Sequence, residues 1–379
     1  MGPDMKIERM DIFLLEAKLD RPFAYSRGWF DRRGAALVEI TTDSGLVGWG
    51  EAFGPPRMSQ GALEMLKPIL IGRDPLAIEA IWQELYSRFR EHGQKGPLVD
   101  ALSAIDIALW DIKGKHYSQP IHRLMGGPLR TQVPVYATGL FKRPEGDPEQ
   151  YLAEEALSYL AAGYRAVKLK VGFGLDYDVR AVRAVREAVG TETTLMIDAN
   201  EAYDAVEAIK LARCVEKYDI AWFEEPVPPE DLAGYREIKA AQSIPIAGGE
   251  AEFTRFGFRE ILTTRAMDII QPDICAAGGI TECKKIADMA NAFGVRCNPH
   301  TWGTAIAIAA SLQLLAVLPD NPLALNPILP MLELDRTEHA IRDALMSEVL
   351  RPQGGMIRIP EGPGLGISID RDVVRSFAV

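Results

Sequence analysis

The sequence predicts an α/β protein: a (β/α)8 barrel carrying a smaller α+β capping domain. Three observations lead there. Charged residues close short apolar runs at Lys170, Asp198, Glu224, Glu250, Asp273 and His300, at intervals of 28, 26, 26, 23 and 27 residues. One strand, one helix and their loops take up such a stretch, and reactive groups at strand carboxyl ends are typical of a closed parallel barrel. The chain has 379 residues, more than a barrel alone needs. Its first third follows a different rhythm.

Residues 6–18 and 36–48 alternate in polarity, and Asp43-Ser44-Gly45 offers a turn between LVEITT and LVGWGE, which reads as a small antiparallel sheet. Residues 21–33 carry Phe23, Tyr25, Trp29 and Phe30 and are expected to form an aromatic loop serving as a lid. From residue 60 to 125 the pattern is helical, with Ala101, Ala104, Ile105, Ala108, Leu109 and Ile112 on one face. Gly126-Gly127-Pro128 breaks it.

Eight candidate strands follow: residues 133–138, 165–170, 194–198, 220–224, 244–250, 267–273, 295–300 and 322–326. Helical stretches at 152–162, 178–189 and 202–217 fall between strands, which favours a closed parallel sheet. The expected organisation is a cap at 1–128, a barrel at 129–335 and a tail at 336–379 that returns to the cap.

Apolar residues make up 47% of the chain and charged residues 25%, a balance that supports a large core and argues against disorder. The net charge of −11 argues against a nucleic-acid partner and requires local cations or a metal wherever an anion is to bind. Cys214, Cys275, Cys283 and Cys297 show no Cys-x-x-Cys spacing, so reduced thiols in a cytoplasmic setting are expected. No run of 18 apolar residues occurs, and no membrane span or export signal is expected.

Asp198, Glu224 and Glu250 end successive strands and should converge at the barrel mouth. Three carboxylates together repel unless a cation neutralises them, and all-oxygen ligation suits Mg2+, with Mn2+ an alternative. Lys168 and Lys170 lie two apart on one strand and share its inward face. Close to each other and to a divalent cation, they are expected to depress each other's pKa, leaving one as a neutral base near pH 7. His300 and Asp273 end adjacent strands, where a carboxylate on one imidazole nitrogen would fix the tautomer. A small-molecule carboxylate held by the metal would then face a base on each side of its α-carbon, and its acidified α-proton could be removed.

At these residues the chain resembles the enolase superfamily, in its mandelate racemase subgroup. The motifs are AIDIALWDIKGK (104–115), VKLKVG (167–172), MIDAN (196–200), WFEEP (222–226), GGE (248–250), QPD (271–273), NPH (298–300) and PGLGI (363–367). The resemblance implies Asp198, Glu224 and Glu250 as Mg2+ ligands, Lys170 as one acid/base with Lys168 as its electrostatic partner, and Asp273 with His300 as the opposing dyad. Loops near Tyr25 to Trp29 and Glu51 to Pro55 would close the pocket. Tyr25, Trp29, Lys142, Asn200, Trp302, Asn326 and Glu333 are the candidates for holding substrate, with Arg27 and Arg143 as further cations.

Racemase-type members end the eighth strand with a glutamate, where this chain is expected to place Asn326; Glu333 lies seven residues further on, which argues against racemisation. FDRRGAALVEI (30–40), ATGLFKR (137–143) and NPILPMLELDRT (326–337) are most similar to galactarolactone cycloisomerases and related acid-sugar enzymes, in which an acid would be expected at Leu329. That likeness implies opening of an aldaric lactone by β-elimination to a 3-deoxy-2-keto diacid. Dehydration of an aldonate or aldarate, and epimerisation, remain open as alternatives. Relatives of this kind often assemble as dimers or octamers, so a homo-oligomer is expected. A hydrolase would need histidine ligands, a hydride-transfer enzyme a complete Gly-x-Gly-x-x-Gly, and a noncatalytic binding barrel gives no reason for clustered like charges.

Overall fold

The computed structural model describes residues 5–320 and 326–379. Strands β1 (Ile7–Tyr25), β2 (Gly28–Thr42) and β3 (Val47–Ala52) form an antiparallel sheet in that order. Alternation along β2 serves two cores. Ala36, Val38 and Ile40 face Leu63, Trp82 and Ala104 on the cap helices, whereas Ala35 and Leu37 join the barrel core, as a period of two requires. The cap helices are α1 (Pro56–Leu70), α2 (Ile78–Phe89) and α3 (Pro97–His116). Glycine lets β3 meet α3 directly: a Cβ on Gly48 or Gly50 would collide with the carbonyl oxygens of Ala108 and Ala104.

The aromatic stretch at 21–33 is not a loop. β1 and β2 continue through it as a long hairpin, with Phe23 opposite Phe30 and Tyr25 opposite Gly28. Aromatic residues favour such cross-strand pairing, and Phe23 also packs on Phe141 of the barrel at a ring distance of 4.7 Å.

A short helix, α4 (Ile121–Leu124), leads to the barrel strand β4 (Gln132–Gly139). Four units follow: α5 (Pro148–Ala161) and β5 (Ala166–Lys170), α6 (Leu175–Val189) and β6 (Thr194–Asp198), α7 (Ala205–Val215) and β7 (Ile220–Glu224), α8 (Leu232–Ala241) and β8 (Ile246–Gly248). The series ends with α9 (Thr254–Thr264), β9 (Ile269–Ile270), α10 (Gly279–Ala292), β10 (Arg296–Cys297), α11 (Ala305–Leu315) and β11 (Leu332–Asp335). These strands run in the order β10-β9-β8-β7-β6-β5-β4-β11, and their pairings are parallel. Between β10 and β11 side chains supply ties: Met331 N donates to Asn298 Oδ1 at 2.7 Å, and Thr301 N to Glu333 Oε2 at 3.3 Å.

The strand that pairs with β4 at this seam is Leu332–Asp335; of the candidate strand at 322–326, residues 322–325 lie outside the described residues. Leu332 pairs with Val135 and Glu333 with Tyr136. The chain then forms α12 (Ala340–Leu345), β12 (Met356–Arg358) and α13 (Arg371–Ser376). β12 adds antiparallel to β4, and the end of the chain returns to the cap, where Glu16 N donates to Phe377 O at 3.0 Å. Cap and barrel are tied again at Glu51, whose carboxylate accepts from Thr304 N at 2.9 Å and Ala307 N at 3.1 Å, at the start of α11. Exposed amides at a helix start favour such an anion.

Candidate active site

Parallel strands deliver their last residues to one face of the barrel. Register places Lys170 beside Asp198 and Asp198 beside Glu224. Asp198, Glu224 and Glu250 each offer an oxygen within 4.8 Å of the others. Glu250 Oε2 is buried without a hydrogen-bond partner, its nearest ionic neighbour being His300 Nε2 at 3.5 Å. Burial pushes the Glu224 carboxyl up to about 8, against the pull of Lys168 and with Asp198 and Glu333 adding to the rise. Burial also raises Glu250. The protein's own cations thus leave the cluster short of positive charge, and an all-oxygen donor set with an orphaned buried oxygen fits a divalent cation.

Lys168 and Lys170 are both buried. Lys168 Nζ contacts Glu224 Oε1 and lies 2.8 Å from Glu333 Oε1. Lys170 Nζ contacts Asp198 Oδ2 and donates to Asn200 Oδ1 at 2.9 Å. Lys168 does depress Lys170, but the neighbouring carboxylates outweigh it. Burial lowers both, but the carboxylates around Lys168 hold it well above its ordinary value, and Asp198 foremost raises Lys170. Asp198 is in turn held down at about 2, burial being outweighed by the two lysines.

His300 Nδ1 lies 2.6 Å from Asp273 Oδ2, and the ring is met edge-on by Phe53 of the cap at 5.6 Å. Burial would lower the His300 pKa, yet Glu250, the Asp273 hydrogen bond and Glu333 carry it up to about 10. A cavity of about 260 Å³ separates these groups, lined by Lys170, His300, Glu250, Asn200 and Glu333 with Tyr25 and Trp302 above.

Three candidates do not reach this cavity. Trp29 is 52% exposed on the hairpin and outside the lining, because it alternates with the inward Phe30. Lys142 turns to the rings of Phe173 and Tyr177, at 5.0 and 5.5 Å. Asn326 lies with Pro245, Asp268 and Gly294 at the opposite end of the barrel, since it precedes β11 and does not end it. Leu329 also precedes β11 and lines a separate small cavity with Trp222 and Cys297, so an acid there would not face the mouth. Glu333 takes the inward strand position, and the argument against racemisation from a missing glutamate falls.

Other residues at the site went unseen in the sequence. Trp222 Nε1 and Gln271 Nε2 both donate to Glu224 Oε2 at 2.8 Å, fixing that carboxylate. Trp222 lies within the WFEEP motif and Gln271 within QPD, the available signals. Arg33 stands over Trp302 at 4.0 Å and bonds Asp335 Oδ2 at 2.9 Å. Ser26 Oγ donates to Asn200 O at 3.0 Å, and its neighbour Arg27, one of the candidate cations, is ion-paired with Glu201.

Barrel, cap and this constellation define an enzyme whose three-carboxylate cluster can chelate a divalent cation. The chain belongs to the enolase superfamily: residues 151–373 match the enolase C-terminal domain-like family, and residues 9–126 the mandelate racemase/muconate lactonizing enzyme N-terminal domain. It is 48% identical to the D-galactarolactone cycloisomerase of Agrobacterium fabrum over 98% of this chain and 99% of that one. It is 35% identical to the arabinonate dehydratase of Saccharolobus solfataricus, over 90% and 89% of the two chains. The 3,6-anhydro-D-galactonate cycloisomerase of Zobellia galactanivorans superposes with a TM-score of 0.89 at 42% identity, covering 99% of both chains. Among the described residues no helix is long and apolar enough to cross a membrane.

Proposed function

We propose that the protein opens the ring of an aldaric acid lactone such as galactaro-1,4-lactone, removing the proton α to its free carboxylate and eliminating the β-oxygen. The observation that carries this reading is the placement of two proton-bearing groups, Lys170 and His300, around one cavity with the three-carboxylate cluster. Asp198, Glu224 and Glu250 would hold Mg2+ or Mn2+. When bound, the cation would draw in the substrate carboxylate and offset charge developing on it. Lys168, buried and cationic, adds positive charge to the same region.

With a cation on Asp198 and Glu250 offsetting the negative charge that keeps them protonated, Lys170 and His300 can divide the proton work: one takes the α-proton, the other returns a proton to carbon. Asp273 orients the imidazole. The ring carbon–oxygen bond breaks with its electron pair leaving on the former lactone carboxyl, a good leaving group that needs no proton. The resulting enol takes a proton at the β-carbon and becomes the 3-deoxy-2-keto diacid. Tyr25, Phe30, Phe53 and Trp302 wall the cavity against water. The likeness to the galactarolactone enzyme supports this substrate class. The four cysteines are all free, which supports a cytoplasmic setting, and a homo-oligomer is part of the same reading.

Dehydration of an open acid sugar is a second reading. It is favoured by the placement of His300, which lines the cavity and is oriented by Asp273, and which in its protonated form could deliver a proton to a leaving hydroxyl. Incubation with Mg2+ in D2O with aldonates, aldarates and their lactones separates the two. Keto-acid formation from a lactone is expected. Keto acid only from open acids would establish dehydration, and deuterium uptake without keto acid would establish epimerisation. Lys170→Ala and His300→Asn should each abolish turnover; wild-type rates in both would overturn the proposal.

A further inference from the structure

We infer, resting on the proposed lactone chemistry, that Glu201 is a charge filter at the mouth: by holding Arg27 it denies a second substrate carboxylate its cation. The site then takes monocarboxylates whose far end is uncharged.

The argument is an inventory of cations. Among the described residues lining the cavity only Lys170, His300 and Arg27 are basic. The first two are buried beside the acids at the barrel floor. Arg27 sits on the turn of the cap hairpin, 57% exposed, and is paired with Glu201, whose side chain is 13% exposed. Other nearby cations are engaged elsewhere: Arg33 with Asp335, Arg143 with Glu155, and Lys142 over Phe173.

The pair is held in place from both sides. Glu201 follows β6 in a left-handed conformation, φ 66°, and its N–H donates to Glu225 O at 2.7 Å. Ser26, next to Arg27, anchors the hairpin to Asn200 O. To bind a second carboxylate, Arg27 would have to leave Glu201 unpaired near Glu225 and Glu250, and like charges brought together oppose binding. Glu225 Oε1 is buried with no partner of its own and lines the same cavity. It can accept a hydroxyl, and the surrounding aromatic faces suit an uncharged ring.

The test compares galactarate, the open diacid, with galactonate, an open monoacid, and with the lactone. Binding is measured by calorimetry with Mg2+ in the wild type, Glu201→Gln, Arg27→Met and the double variant, and lactone turnover is followed separately. The wild type should bind galactonate more tightly than galactarate. Glu201→Gln should shift the preference toward galactarate by roughly tenfold, and Arg27→Met on that background should remove the gain. Arg27→Met alone should weaken galactarate further. Equal galactarate affinity in wild type and Glu201→Gln, or a wild type that prefers galactarate, overturns the filter. Absence of lactone turnover overturns the proposed reaction and leaves the affinity comparison to decide the filter.

Discussion

Asp273→Asn isolates the role of the buried carboxylate behind His300. One oxygen of Asp273 lies 2.6 Å from His300 Nδ1, and the other accepts from Cys275 N at 2.6 Å. Asparagine has the same outline but only one acceptor. If its oxygen stays on the Cys275 amide, its NH2 group faces the imidazole and donates to Nδ1. The neutral ring must then carry its proton on Nε2, the nitrogen nearest Glu250, and can no longer accept one there. Losing a hydrogen bond to a charged group costs roughly 1.5–3 kcal/mol, a factor of about 10 to 150. Losing a general acid/base costs roughly 10²–10⁴ in rate. The expected fall in kcat therefore lies between about tenfold and ten-thousandfold, with KM nearly unchanged. Keto-acid formation gives kcat, and proton NMR in D2O follows α-proton exchange. A kcat within about threefold of wild type would refute the dyad.

Trp222→Phe keeps a ring against Tyr136 but removes one of the two donors to Glu224 Oε2. Mg2+ affinity should drop by roughly 10- to 100-fold, read by calorimetric titration, and an unchanged Kd would show that Gln271 alone positions the ligand. His339 gives a stability test. Burial first, then Arg33 and Arg342, push its pKa down to about 2, against about 6.5 unfolded. The unfolded chain binds the extra proton below pH 6.5, so this group's contribution is complete above that value and is lost as pH falls toward 2. Between pH 6.5 and 4.5 the loss is about 2.3 kcal/mol. His339→Asn keeps a side-chain acceptor for Arg342 N and should flatten that part of the urea-unfolding profile; an unaltered slope would exclude His339 as its source.

The barrel's rhythm was legible because six successive apolar runs, from Lys170 to His300, each close on an ionisable residue that no solvated surface explains. The triad, both lysines and the His-Asp pair followed from that regularity. The eighth strand was not legible, since PLALN and LELD are both short apolar-containing runs after His300, and spacing cannot tell which one finds β4. Pairing between Glu333 and Tyr136 settles it. The acids that offset the two lysine charges were hidden for a similar reason. Proximity along β5 shows two like charges, whereas their opposing acids come from β6, β7 and β11. Lys142 looked like a substrate cation, but its backbone bonds Ala24 at 2.8 and 3.1 Å and its side chain lies over two aromatic rings.

The bare meeting of Gly48 and Gly50 with the backbone of α3 bears on how such a protein could be redesigned. Main chain rests on main chain there, so the slab that carries Glu51 and Phe53 has no slack to slide or tilt. New substrate shapes must be accommodated at the tip of the hairpin, around Tyr25, Arg27 and Phe30, where side chains and not main chain make the contacts. A mutagenesis library would be well spent on that tip, while variants of the Gly-Trp-Gly strand should mostly fail to accumulate as folded protein.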